Sequence, residues 1–131
     1  MANDTPTLKA FDHVNLRTTD PEGLADWYET HLGLARGWRP PFPFPGAWLY
    51  LGDSAVVHVV GVTDSPGSYS GSLEHFAFTA TGMDAFAAKL DAAGVPFQRA
   101  DVPGTDIVQF NLHDPAGNHI HIDFRTANEN A

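Results

Sequence analysis

The residues of this chain best suited to chemistry are its 7 histidines. Residues 113–124 read HDPAGNHIHIDF, so that His119, His121 and Asp123 fall on alternate positions after a turn. Alternate residues of a strand point to the same face, which would present two imidazoles and a carboxylate together. Such a face is either solvent-exposed surface or part of a metal site, because imidazole is the commonest metal ligand in proteins.

Four of these histidines stand at corresponding places in two halves of the sequence. His13 and His75 lie in the strand-like segments DHVNL and EHFAF. His58 and His121 lie in AVVHVV and HIHIDF, and the separations are nearly equal, at 58 − 13 = 45 and 121 − 75 = 46 residues. If a duplication folds both halves alike, equivalent positions meet on one concave face, and four imidazoles converge there.

The first half, about residues 10–62, reads as a strand, a helix and two further strands. AFDHVNLRTT alternates apolar and polar residues, as a half-buried strand does. Asp20 followed by Pro21 predicts the start of a helix, and Gly33 predicts its end. The run RPPFPFPG is a stiff loop, and AWLYLGD and AVVHVVGV then form a hairpin.

The second half, about residues 73–124, follows a Gly/Ser/Pro linker at about 63–72 and repeats this order. LEHFAFTA predicts a strand, GMDAFAAKLDAAGV a helix, and PFQRA, TDIVQFNLH and NHIHIDF three more strands. The final RTANENA is expected to be frayed. The sequence therefore predicts an α+β fold with one domain over residues 1–131.

The composition excludes several classes of partner. Because 16 acidic residues oppose 7 Lys and Arg, the formal charge is −9, and no nucleic-acid partner is expected. No apolar run approaches the roughly 20 residues that cross a bilayer, and MANDTPTLKA has no signal pattern. We therefore expect no membrane partner and a cytoplasmic location. The absence of cysteine excludes disulfides, thiolate ligands and a cysteine nucleophile.

Five segments resemble the vicinal oxygen chelate superfamily, which includes glyoxalases, extradiol dioxygenases, fosfomycin-resistance proteins and bleomycin-binding proteins. They are FDHVNLRTTD, WYETHLGL, EHFAFTA, LDAAGV and DPAGNHIHIDF, within about residues 10–124. The resemblance implies two tandem βαβββ modules that form a curved mixed sheet around a divalent metal ion. It also implies a homodimer, in which some members share the metal site between chains.

The same resemblance implies a ligand set for the metal: His13, His58, His75 and His121. The position of His121 is usually Glu in the family, and that of His58 is Glu in bacterial glyoxalase I. Neutral imidazoles leave a divalent ion its full charge, and they favour Fe, Zn or Ni over Mg or Ca. We expect Fe(II) first, with Zn or Ni as alternatives.

Strand parity predicts the residues around this ion. Arg17 lies where glyoxalase I has an arginine for the substrate carboxylate, and we assign His119 to the edge of the pocket. The predicted substrate contacts are Asn15, Arg17, Trp48, Tyr50, Gln109 and Asn111, with Phe42 and Phe44 as further apolar walls. These residue types suit a small organic anion with an aromatic or apolar body.

Three functions remain open from the sequence. The favoured one is a dioxygenase-like enzyme for a small enolisable or catecholic anion, in which His58 is a ligand or an acid/base. The second is a glyoxalase-like lyase or isomerase that uses Zn or Ni, with His58 or His121 moving a proton. The third is a non-catalytic protein that binds a small molecule, as bleomycin-resistance proteins do.

Overall fold

The structure, a computed structural model, describes residue 6 and residues 9–67 and 72–129. Eight strands form two four-stranded sheets, and each sheet is accompanied by one helix. The strands are β1 (Val14–Thr18), β2 (Ala35–Gly37), β3 (Gly46–Leu51), β4 (Ser54–Gly61), β5 (Phe76–Ala80), β6 (Gln98–Asp101), β7 (Ile107–His113) and β8 (His119–Arg125). The helices are α1 (Pro21–Trp27) and α2 (Met83–Ala92).

The two sheets have the same topology, which confirms the predicted α+β fold and its internal repeat. Module one, β1 to β4, has the strand order β1-β4-β3-β2, and module two, β5 to β8, has the order β5-β8-β7-β6. In each module the first strand pairs in parallel with the last strand, and the other pairs are antiparallel. Both modules therefore place their first and last strands side by side.

Module one differs in detail from the pattern read from its residues. The first strand begins at Val14 rather than at residue 10. The residue pattern showed no strand at β2, because three residues are too few to alternate, although the βαβββ module implied by the resemblance includes one. The last turn of the predicted helix, Tyr28–Leu32, is π-helical rather than α-helical. Gly33 ends it with a φ of 75°, and Asp20 accepts a hydrogen bond from Gly23 N at the helix start, as predicted.

Strand β8 separates the core from the candidate site. Ile120, Ile122 and Phe124 are buried in a hydrophobic core that contains residues of both modules. His119 and His121 alternate with them and therefore lie on the opposite face of the sheet. The apolar residues of this strand thus fix which way its histidines point.

A buried hydrogen bond joins the two modules. The hydroxyl of Tyr28 donates to Asp114 Oδ2 at 2.7 Å, and both residues are buried. Asp114 also accepts bonds of 2.9 Å from the amides of Ala116 and Asn118, and so holds the turn before β8. Burial, and then the charge of Asp114, raise the pKa of the Tyr28 hydroxyl, which stays a donor.

The residues after β8 correct the prediction of a frayed tail. Thr126–Asn128 forms a 3₁₀ turn, and Glu129 accepts hydrogen bonds from Gly82 N and Met83 N at the start of α2. Residues 68–71 of the predicted linker, and residues 130–131, lie outside the described part. No helix in the described part is long and apolar enough to cross a membrane.

Tyr28→Phe tests the bond between the modules. Loss of the hydroxyl leaves the buried Asp114 carboxylate without one donor, so the free energy of unfolding should fall by about 1–3 kcal/mol. Tyr50→Phe is the matched control, because the Tyr50 hydroxyl bonds the Trp38 carbonyl in an exposed position. Urea unfolding of both variants measures the difference, and equal losses would contradict the special role of Tyr28.

Asp106→Asn tests a second contact by its pH dependence. Hydrogen bonds from Ala127 N and the Arg125 side chain lower the pKa of the Asp106 carboxyl. A carboxyl with a lowered folded pKa adds stability above its unfolded pKa, and that stability is lost as the pH falls through the folded pKa. The variant should be less stable than the parent chain at neutral pH. The difference in the free energy of unfolding between the two should shrink below about pH 4. A gap of unchanged size in urea unfolding at both pH values would count against this contact.

Candidate metal centre

The two ligand histidines predicted in module one lie side by side. His13 directly precedes β1, and His58 lies on β4, the parallel neighbour of β1. Their rings stack with centroids 3.7 Å apart and planes 10° apart. His13 Nδ1 donates to Asp12 Oδ2 at 2.6 Å, which leaves His13 Nε2 as the nitrogen that can bind a metal.

Module two repeats this arrangement. His75 directly precedes β5, and His121 lies on the parallel neighbour β8. Their rings stack with centroids 4.0 Å apart and planes 14° apart. His75 Nδ1 donates to Glu74 Oε1 at 2.5 Å, the counterpart of the Asp12 contact. The four predicted ligands thus form two similar pairs, each with a carboxylate behind its first histidine.

His119 joins the pair of module two. One ring nitrogen from each of His75, His119 and His121 forms a group whose members lie within 4.8 Å of one another. His119 Nδ1 also donates to Glu74 Oε2 at 2.7 Å, so a single carboxylate contacts two imidazoles. The sequence assigns His119 to the edge of the pocket, and the structure brings it into this group. Its spacing of two residues from His121 was the available signal, since both point to one face of β8.

The histidines and their neighbours form one cluster in each module. The module-one half-site consists of Asp12, His13, Trp48 and His58, and the module-two half-site of Glu74, His75, Asn111, His119 and His121. Among the described residues, the group able to hold a metal ion includes only members of the module-two half-site. Convergence of all four predicted ligands on one ion therefore stays a prediction.

The half-sites differ at positions that correspond in strand register. Trp48 lies opposite His58 on the neighbouring strand, whereas Asn111 lies opposite His121. The Trp48 ring stacks on His58 with centroids 4.0 Å apart. Asn111 Oδ1 instead accepts a hydrogen bond of 3.1 Å from His119 Nε2. Module one therefore offers an aromatic surface beside its histidines, and module two a polar one.

Burial favours the neutral form of one imidazole in each half-site. Burial, followed by the nearby His13 ring, lowers the pKa of His58. Burial, followed by the rings of His75 and His119, lowers the pKa of His121. A neutral imidazole keeps the lone pair that a metal ion or a proton requires.

The donor set fits a divalent transition metal. His121 Nδ1 is buried and has no hydrogen-bond partner, although buried polar atoms almost always have one. Imidazole nitrogen suits Zn, Fe, Ni and Cu, and not Mg or Ca. The residues of the module-two half-site can therefore hold the kind of ion that the sequence predicted.

An aromatic cavity of about 490 Å³ adjoins the module-one half-site. Its lining includes Phe11, Trp38, Trp48, Tyr50 and His58. Trp48 and Tyr50 were predicted substrate contacts, whereas Phe11 and Trp38 were not singled out. Trp38 is 70% exposed and lies edge-on to Trp48 at 5.9 Å, so the cavity has two aromatic walls at right angles.

A smaller polar cavity of about 170 Å³ lies where β1 meets module two. Asn15 and Arg17 line it together with Glu74, His75 and His119. Two predicted substrate contacts are thus brought to the module-two half-site of the same chain. In a chain of formal charge −9, Arg17 places a cation beside the imidazoles.

The remaining predicted contacts lie elsewhere. Gln109 faces Asp123 in the register of β7 and β8 and is not among the residues that line either cavity. Phe42 and Phe44 stack on one another in the proline-rich loop, with centroids 5.1 Å apart. These three assignments stay predictions.

Residues 10–122 match the model of the Glyoxalase/Bleomycin resistance protein/Dioxygenase superfamily. No curated protein matches the sequence.

Several solved structures have the same fold. A glyoxalase family protein from Bacillus anthracis is 21% identical, with a TM-score of 0.77 over 92% of this chain and 98% of that one. A genomically encoded fosfomycin resistance protein from Listeria monocytogenes is 9% identical, with a TM-score of 0.70 over 90% and 94%. A lactoylglutathione lyase from Agrobacterium tumefaciens is 15% identical, with a TM-score of 0.64 over 91% and 96%. At these identities the likeness concerns the fold alone.

Glu74→Gln tests the carboxylate that contacts two imidazoles. The variant keeps the size of the side chain but weakens its bonds to His75 and His119, so affinity for Zn²⁺ should fall about tenfold to a hundredfold. Asp91→Asn, on the exposed face of α2, is the matched control and should leave the affinity unchanged. Competition with a chromophoric chelator measures the Zn²⁺ affinity of each variant. If Glu74→Gln binds Zn²⁺ as tightly as the parent chain does, Glu74 is not part of the site.

Proposed function

The chain belongs to the Glyoxalase/Bleomycin resistance protein/Dioxygenase superfamily, and from that premise we propose that it is a metal-dependent enzyme for small oxygenated anions. The observation that carries the proposal is the module-two half-site, in which three imidazole nitrogens lie within 4.8 Å of one another. Neutral imidazoles backed by a carboxylate are typical of metal centres.

The proposed ligands are His13, His58, His75 and His121, two from each module. Two similarities between the pairs support a common role. The rings stack in a similar way in both pairs, and in both a carboxylate accepts a hydrogen bond from the first histidine. We propose that the pairs meet in a homodimer, where the module-one half-site of one chain faces the module-two half-site of the other. The large exposed fractions of Phe11 and Leu73, 82% and 60%, support a partner chain.

A dioxygenase-like reaction on an enolisable or catecholic anion is the favoured chemistry. Bound Fe(II), the favoured metal, supplies a Lewis acid and a means of activating O₂. The chain itself binds and orients the substrate: Trp48 and Tyr50 pack against its apolar body, and Arg17 neutralises an ionised oxygen. A substrate that binds already ionised needs no carboxylate base, which suits a site whose ligands are all histidines.

A glyoxalase-like isomerase or lyase with Zn or Ni is the second candidate, and His58 favours it. Burial lowers the pKa of His58, so its imidazole is neutral at pH 7 and can accept a substrate proton. His58 Nε2 donates to the Ala55 carbonyl at 3.1 Å, which leaves Nδ1 as the proton acceptor. In this reaction the proton returns to a neighbouring carbon, and O₂ takes no part.

Metal analysis of anaerobically purified protein, combined with O₂ uptake on a panel of catechols and enols, tests the proposal. Iron with substrate-dependent O₂ uptake is the expected result, and His58→Gln should lower turnover at least about tenfold. His31→Gln, in the π-helical turn, is the control and should keep full turnover. Zinc with proton exchange into substrate and no O₂ uptake would favour the second candidate. Protein with no metal and no turnover would overturn both.

A further inference from the structure

We propose that His119 is a third metal ligand, so that the module-two half-site binds a divalent ion without any residue of module one. The proposal rests on the metal-dependent function above and changes its ligand set: His75, His119 and His121 bind the ion, and His13 and His58 complete the site around the substrate. The ion then belongs to one chain, whether or not a second copy is bound.

Glu74 supports this assignment because it fixes two of the three rings. One oxygen accepts from His75 Nδ1 at 2.5 Å and the other from His119 Nδ1 at 2.7 Å. A histidine held by a carboxylate at Nδ1 presents Nε2 to a metal. Both rings are therefore held by the same group, and one nitrogen of each lies within 4.8 Å of a nitrogen of His121.

The buried nitrogen of His121 supplies independent support. Its Nδ1 has no hydrogen-bond partner and lies in a ring that is 8% exposed. The His119 ring packs edge-on against this ring, with centroids 4.8 Å apart. His121 thus combines a buried, unpartnered nitrogen with membership of the three-histidine group, and a bound cation would satisfy an imidazole nitrogen in such a place.

Module one lacks the third histidine, so the two half-sites are not interchangeable. The position that corresponds to His119, two residues before the last-strand histidine, is Val56. His58 is covered by the Trp48 ring, and its Nε2 is bonded to the Ala55 carbonyl. Only module two therefore offers three nitrogen donors from a single chain within the described residues.

Metal binding by His119 must displace one hydrogen bond of this ring. His119 Nε2 bonds Asn111 Oδ1 at 3.1 Å, and this nitrogen cannot serve both the amide and an ion. Ligation by His119 thus frees the Asn111 oxygen, which lies on the strand beside the half-site and can then accept a substrate hydroxyl. The exchange couples metal loading to the exposure of a substrate contact.

Titration of metal-free protein with Co²⁺, followed by its visible absorption, tests the proposal without any turnover assay. His119→Ala should weaken Co²⁺ binding at least about tenfold. Asn111→Ala should strengthen it about fivefold, because the competing hydrogen bond is gone. The double variant His13→Ala/His58→Ala should bind within about threefold of the parent chain. His31→Ala, in the π-helical turn of module one, is the control.

Each outcome decides between the ligand sets. If Co²⁺ binding survives His119→Ala but is lost in the His13→Ala/His58→Ala variant, the inference fails and the four-histidine site of the proposed function stands. If no variant binds Co²⁺ and the parent chain does not either, the proposed function fails as well. Urea unfolding of each variant identifies any loss of binding that comes from misfolding, and His119→Gln then replaces a misfolded alanine variant.

Discussion

The parallel pairing of the first and last strands in each module is the constraint on which the candidate site depends. Residues that are 45 or 46 positions apart in sequence become neighbours only because β4 returns beside β1, and β8 beside β5. Parallel neighbours require a long crossover, which the helix and two antiparallel strands supply. The apolar residues that alternate with the histidines then fix the face on which the imidazoles lie. One face of these strands therefore carries the imidazoles, and the other face packs in the hydrophobic core.

Duplication places the histidine pairs, and later differences between the modules determine their chemistry. Trp48 and Asn111 occupy corresponding register positions, yet one covers an imidazole and the other bonds one. If the half-sites face one another as proposed, the environment is amphipathic, with aromatic walls next to module one and hydrogen-bonding groups next to module two. A planar molecule with oxygen substituents at one end matches this distribution of surfaces better than a uniformly polar metabolite does.

Much of the fold could be predicted from the sequence, because its signals are local. Asp20, Pro21 and Gly33 mark the ends of a helix by cap and turn chemistry, and the equal histidine spacing identifies the repeat. The residue pattern could not show strand β2, because three residues are too few to alternate, and it could not show the contact of Glu129 with α2, because the two are remote in sequence. Strand parity placed His119 on the same face as His121, whereas its contact with Glu74 depends on packing that the sequence does not show.

The hydrogen bond between Tyr28 and Asp114 has a consequence for how the halves hold together. The two modules share a hydrophobic core and this bond, so their association does not depend on the peptide that connects them. Circular permutants that open the chain at the connection and join the original termini should therefore keep the same architecture. Such an outcome would show that the order of the two halves along the polypeptide is not a requirement of folding.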